Sequence, residues 1–214
     1  MKHDIQFENC EETKWALVKN LYSEHFDQLS RYADLLLWWN DKINLVSRGV
    51  SRETILKHVE HSLFISTSEY FDGHAKITDT GTGGGLPGIP LAICFPEKEF
   101  VLNDIVKKKI MALKGIVTSL GLKNIITQEG SIADFEVNRE SLIITKHAFK
   151  INELIDLLSE KDWKKIIFLK GAHETISEIN ESKVEIVANV TRLDANINDP
   201  FYSGKALVEI VRKE

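Results

Sequence analysis

The chain reads as an α/β protein: an open, largely parallel sheet flanked by helices and preceded by a helical region. Three observations predict this. Apolar residues recur at three- and four-residue steps between residue 11 and about residue 72. From Gly73 onward, short apolar runs alternate with helical stretches, the pattern of βαβ units around a parallel sheet. A glycine-rich segment, "DTGTGGGLPGIPLAI" from Asp79 to Ile93, falls where the first strand of that second part meets its helix. The expected division is a helical region, residues 1–72, packed on a sheet domain, residues 73–214.

In chain order, "LSRYADLLLWWNDKINLV" aligns Leu29, Tyr32, Leu36, Trp39 and Ile43 as one apolar stripe. Gly49 is expected to end that segment. Ser51 then opens "SRETILKHVEHSLFI" as a plain N-cap, because Thr54 rather than Glu or Gln occupies the third helical position. Five strands follow: "AKITDTG", "EFVLNDI", "NIITQEG", "SLIITKHAF" and "KKIIFLKG". Between them lie the helical stretches "PGIPLAICF", "KKKIMALKGIVTSLG" and "INELIDLLSEKD". After Gly171 a helical segment leads to "KVEIVANVTRL" and "KALVEIVRK", joined by the turn "DANINDPFYSG". This pair reads as antiparallel strands at the sheet edge.

Composition narrows the function classes. The chain has 214 residues, 43% hydrophobic and 28% charged, the balance of an ordinary soluble globular protein. Its net charge of −5 excludes an overall cationic nucleic-acid binder, though a local basic patch remains open. Cys10 and Cys94 are too few for a disulfide framework or a zinc cluster. The first residues, "MKHDIQFENCEE", hold no apolar signal core, and no apolar run approaches a membrane span. A cytoplasmic, metal-free protein without a membrane partner, acting as a monomer, is expected.

The glycine loop carries the chemistry. In an open α/β sheet, ligands bind beyond the carboxyl ends of the strands, where this loop lies. It lacks the Gly-Lys-Ser/Thr ending of a P-loop, which argues against triphosphate cradling. Gly81 and Gly83 match the start of a dinucleotide fingerprint, but Leu86 stands where its third glycine belongs. The spacing is Gly81-x-Gly83-x-Gly85, which resembles the S-adenosylmethionine (SAM) loop of class I methyltransferases. There the demand is close backbone approach, which only glycine permits. Asp104, about twenty residues past the loop, is placed to accept hydrogen bonds from two ribose hydroxyls, of SAM or of NAD. Ile132-Ala133 followed by an acid resembles the adenine-edge segment of SAM enzymes. Asp79, Thr82 and Ile105 flank these positions and join the candidate donor site.

Taken with further stretches, the run "GTGGGLPGIPLAI" resembles the RsmG (GidB) family of bacterial methyltransferases, which modify a guanine N7 in 16S ribosomal RNA. "WWNDKINLVS", "KHVEHSL", "NDIVKKKIMAL", "LGLKNI", "ITKHAF" and "FLKG" follow in matching order. The likeness spans roughly residues 30 to 175 and implies a Rossmann-like class I SAM-dependent methyltransferase with a helical N-terminal region. It implies SAM as cofactor, 16S rRNA or the immature small ribosomal subunit as partner, and donor contacts at Gly81, Leu86, Ile132, Ala133 and His147.

Three positions depart from the family pattern. His61 replaces an aspartate, Ser131 an arginine, and Lys146-His147 stands where the family has Ser-Arg before Ala148. Arginine is a permanent charge, whereas histidine is mostly neutral at pH 7 and able to act as a base. Donor binding therefore reads as retained and the acceptor side as altered. His147, Lys146 and His61 are the candidate catalytic residues, although alternation along a strand would point Lys146 away from His147. His58 and His61, one turn apart, lack further ligands for a metal and read as packed at the seam between the two regions. Lys107, Lys108, Lys109, Lys114 and Lys123 form a basic cluster, a solvated helix face or a phosphate-contact patch. Trp38-Trp39 reads as core and seam rather than a stacking platform. The leading function is guanine-N7 methylation of 16S rRNA. The alternatives are methylation of another acceptor with a histidine as base, and SAM binding without catalysis.

Overall fold

The computed structural model describes residues 3–195 and 197–213. The outermost residues of the two expected regions and Asn196, inside the turn before the last strand, lie outside the described residues. Eight strands make one sheet: β1 (Asp4–Asn9), β2 (Lys76–Thr80), β3 (Glu99–Asp104), β4 (Ile125–Glu129), β5 (Ser141–Lys146), β6 (Lys165–Gly171), β7 (Ile186–Arg192) and β8 (Lys205–Arg212). Their order is β1-β7-β8-β6-β5-β2-β3-β4. Every pairing is parallel except those of β8, which runs antiparallel to both β6 and β7. The helices are α1 (Glu12–Glu24), α2 (Phe26–Asn40), α3 (Arg52–Ser62), α4 (Glu69–Asp72), α5 (Gly88–Cys94), α6 (Lys107–Leu120), α7 (Ile151–Leu157) and α8 (Ala172–Asn180).

Period-two alternation explains how the central strands serve two cores at once. Along β5, Leu142 and Ile144 join one apolar cluster and Ile143 the other. Along β6, Ile167 and Leu169 face the first while Ile166 and Phe168 face the second. Both faces are covered, so these strands read as continuous apolar runs. The first cluster also takes Leu29, Tyr32 and Leu36 of α2, so the helical region and the sheet share one core. Trp39 continues that stripe and packs over Gly115 of α6, where a Cβ would sit 2.6 Å from the indole Cζ2.

Three expectations need correction. Residues 4–9, expected to belong to the helical region, form strand β1, paired from Asp4↔Val187 to Asn9↔Arg192. "DIQFEN" is mostly exposed, with Phe7 53% accessible, so it carries no burial pattern; only backbone pairing makes it a strand. The last two strands are antiparallel as read, but they are not the sheet edge. β8 is inserted between β6 and β7, and β1 covers β7. Gly49 does not end a helix: α2 stops at Asn40, and Gly49 takes φ +72° within the following loop. Ser51 is the N-cap expected, its hydroxyl accepting from Thr54 N–H at 3.1 Å.

The strand order reverses between β2 and β5. β3 and β4 build outward on one side of β2, and β5 then returns to its other side. The connections therefore diverge at the carboxyl ends of β2 and β5, leaving a crevice there.

Candidate functional site

The crevice is walled by the glycine loop, whose conformation only glycine tolerates. Gly81, Gly83 and Gly85 have φ of +67°, +57° and +97°, the left-handed region costly to residues bearing a Cβ. Asp79, fully buried at the end of β2, organises the loop. Its Oδ2 accepts from Thr82 Oγ1 at 2.6 Å and from Gly88 N–H at 2.8 Å. Burial pushes this carboxyl up to about 7, against the lowering pull of those two hydrogen bonds. Asp104, at the end of β3, accepts from Gly83 N–H at 3.0 Å and Val106 N–H at 2.9 Å, with Lys109 Nζ 3.6 Å away. Asn103 ties neighbouring strand ends, accepting from Thr80 Oγ1 at 3.0 Å and donating to Gly130 O at 2.9 Å.

The helical region closes the loop from the other side. Tyr32 donates its hydroxyl to Gly84 O at 3.0 Å. A Cβ on Gly84 would strike Leu36 Cδ1 at 2.5 Å, so α2 rests directly on the loop. After α2, Asn40 Oδ1 accepts from both Leu45 N–H and Val46 N–H at 2.9 Å, turning residues 45–47 over the crevice. The open-mouthed cavity is about 430 Å³, within the range of small-molecule sites. Its walls are apolar at Leu45, Val46, Val50, Ile55 and Leu86, and polar at Ser47, His58, Thr82, Lys109, Lys146 and His147.

The surroundings disfavour the charged forms of Lys146, His58 and His147. Lys146 is 8% exposed and has no carboxylate partner among the described residues; its Nζ donates to His58 O at 2.8 Å and Ser62 Oγ at 3.4 Å. Burial, then Lys205, pushes its pKa well below the usual ammonium value. Burial, then Lys146, lowers His58 to about 3, and burial with Lys146 and Lys205 lowers His147 to about 4. His61 is fully buried among Phe64, Phe201 and Tyr202, and neither ring nitrogen has a partner. Burial drives its pKa far below the ordinary value.

The cavity thus brings together Gly81, Thr82, Gly83, Leu86, Lys146 and His147 of the residues expected from sequence. Lys146 and His147 share it because His147 leaves the strand in a left-handed conformation, φ 53°, so strand alternation no longer applies. Asp79 and Gly85 sit behind the wall, Asp79 binding the loop and Gly85 against Ile89. Asp104 does not line the cavity itself and reaches it through Gly83 and Lys109. Ile105 is 72% exposed at the rim and Ile132 is buried, while Ser131 caps its own turn by accepting from Ala133 N–H at 3.3 Å. His61, expected to be catalytic, does not line the cavity, whereas His58, expected at the seam, does. Sequence reasoning also missed Asn40, Ser47 and Asn103. For Asn40 a signal existed: an amide side chain at a helix end, ahead of a chain reversal. No group of three or more His, Cys, Asp or Glu able to hold a metal occurs among the described residues. No helix among them is long and apolar enough to cross a membrane.

A family model described as rRNA small subunit methyltransferase G (GidB) matches residues 25–197. The "Ribosomal RNA small subunit methyltransferase G" of Chlorobaculum tepidum is 38% identical over 187 residues, covering 84% of this chain and 86% of that protein. The protein of the same name from Flavobacterium psychrophilum is 32% identical, covering 100% of this chain and 97% of its own length. Among solved structures, the S-adenosylmethionine-dependent methyltransferase SibL superposes with a TM-score of 0.57 at 10% identity, covering 76% of this chain and 57% of that one. That likeness is one of fold.

Proposed function

The chain belongs to the GidB family, the rRNA small subunit methyltransferases G, and on that premise we propose that it methylates N7 of a guanine in 16S ribosomal RNA. The donor is S-adenosylmethionine, which supplies an electrophilic methyl group on a sulfonium. The observation that carries this reading is the pair of left-handed glycines, Gly81 and Gly83, along a cavity of small-molecule size. A Cβ at Gly83 would meet little but Leu45 O, at 3.4 Å, so the bare backbone there faces space that a ligand is able to use. The donor would lie along Gly81–Gly83 and Leu86, with Asp104, Ile105 and the Ser131–Ala133 turn reaching its nucleoside end.

Guanine N7 carries its own lone pair. It attacks the methyl carbon, the carbon–sulfur bond breaks, its electron pair stays on sulfur, and the purine takes the positive charge. No proton need be removed, so alignment and exclusion of water are the main demands on the protein. His147, lowered to about 4, is a neutral imidazole near pH 7 and suits that task, because it does not repel a sulfonium beside it.

Purified protein, S-adenosylmethionine labelled in its methyl group and small subunits lacking the mark test this reading. One labelled 7-methylguanosine in the 16S rRNA is the expected product. Absence of label from that RNA, in both naked and subunit form, would reject the proposal.

A further inference from the structure

A second cleft, of about 400 Å³, opens at the carboxyl ends of β5 and β6. It shares His147 and Ala148 with the donor cavity, so the two adjoin at those residues. Its other sides include Phe149, Lys170, Glu174 and Glu178. Methyl transfer requires the acceptor atom within about 3–3.5 Å of the methyl carbon. An acceptor must therefore occupy space that adjoins the donor cavity, as this cleft does. Their junction holds the one described non-glycine residue with positive φ, His147. Such conformations persist where the surroundings enforce them, and they gather at functional sites.

The cleft's charges are unequal in what they have left to offer. Glu178 and Lys170 form a buried ion pair, and Glu178 Oε2 also accepts from Ile151 N–H at 2.8 Å. That carboxylate is committed to the fold. Glu174, in the first turn of α8, is exposed, and its carboxylate is in no ion pair or side-chain hydrogen bond with the described residues. The missing side chain of Gly171 gives it room, since a Cβ there would strike the Glu174 carboxylate. Glu174 is thus held over the end of β6 as an unused pair of acceptors.

Building on the guanine-N7 reading, we propose that this cleft receives the target guanine and that Glu174 reads its Watson–Crick edge. Guanine presents two adjacent donors, N1–H and the N2 amino group, which one carboxylate accepts together. N7 lies on the opposite edge of the base and is then directed past His147 towards the donor. Phe149 flanks the cleft as a stacking surface, as expected where a base is taken out of its helix. Adenine is rejected, because its N1 is an acceptor and would meet the carboxylate lone pairs. The Watson–Crick edge must be free, so the target is an unpaired or extruded nucleotide.

The test has two arms on the full chain. In the first, binding of GMP and of IMP, which lacks the N2 amino group, is followed by NMR in the presence of S-adenosylhomocysteine, up to about 10 mM. Wild type is expected to prefer GMP by about tenfold, the worth of one such hydrogen bond, and Glu174→Ala to bind both alike. In the second, Glu174→Ala and Glu174→Gln are assayed on small subunits lacking the mark. Losses of roughly thirtyfold or more in kcat/KM are expected, with S-adenosylhomocysteine affinity unchanged. No GMP binding, discrimination that survives in Glu174→Ala, or wild-type turnover by that variant would overturn the proposal. Absence of rRNA methylation by wild type alongside Glu174-dependent GMP selectivity would instead reject the reaction and keep the guanine cleft.

Discussion

Gly83 combines a left-handed backbone at φ +57° with a Cα that faces the cavity. Gly83→Arg is therefore expected to abolish calorimetric binding of S-adenosylmethionine and S-adenosylhomocysteine, with the far-ultraviolet circular dichroism of wild type retained. Binding of near wild-type strength would mean that the donor lies elsewhere. His61 makes a different prediction, about stability. Its folded pKa lies far below its unfolded value, because burial disfavours the imidazolium. The unfolded chain then binds the proton that the folded chain refuses, so stability is full above about pH 6.5 and falls as pH drops below it. The slope is about 1.4 kcal/mol per pH unit. His61→Leu, an apolar side chain among aromatic rings, removes that slope. Its melting temperature should rise relative to wild type as pH goes from 7 to 5, and a constant difference would contradict the buried neutral imidazole. Asp79 acts with the opposite sign, its raised pKa taking stability away as pH rises towards about 7, but it is common to both proteins and cancels. For catalysis, an N7 acceptor needs no base. The single-turnover rate should be flat from about pH 6.5 to 8.5, a window in which a histidine base near its ordinary pKa would titrate.

At the scale of elements, the contacts that shape the site come from the segment after α2. Asn40 holds Leu45 and Val46 with one amide oxygen. Asn40→Ala should loosen this strap, costing about 1–3 kcal/mol of stability for the two unsatisfied amides. The Michaelis constant for the donor should rise more than kcat falls, since the strap walls the cavity without touching the methyl group. A variant with an unchanged Michaelis constant would show that residues 45–47 take no part in binding. Periodicity could announce α2 itself, because Leu29, Tyr32 and Leu36 repeat on one face. It could not announce the strap, whose geometry depends on a side chain bonding backbone five and six residues away. The same holds for β1, where backbone pairing to a distant strand overrides a sequence with no buried face.

Across the whole molecule, β1 closes one end of the sheet by pairing with β7. A chain lacking residues 2–10 would leave the β7 edge unpaired, and unpaired edges recruit other chains. Such a chain should self-associate in sedimentation or light scattering, while its monomeric fraction binds the donor as wild type does. A monodisperse truncated protein would argue that β7 is protected by other means. The cavity proposed for the donor lies at the reversal of strand order between β2 and β5, away from that edge, so the two effects separate.

Legible in the sequence were the alternation of strands and helices, the glycine loop with its need for close backbone approach, the buried stripe of α2 and a ligand site where the first strand of the sheet domain meets its helix. These follow from local rules: side-chain period, turn stereochemistry and the order of strands. Tertiary structure alone decided which polar residues face the cavity. Lys146 and His147 share a wall because one backbone conformation departs from the strand, and His61 is withdrawn by aromatic neighbours that are distant in sequence, Phe201 and Tyr202. The cleft bearing Glu174 exists only once α8 is docked on β6 and β8, beside the end of β5. Period and propensity act within a few residues, whereas a site is a meeting of residues that the fold alone makes neighbours.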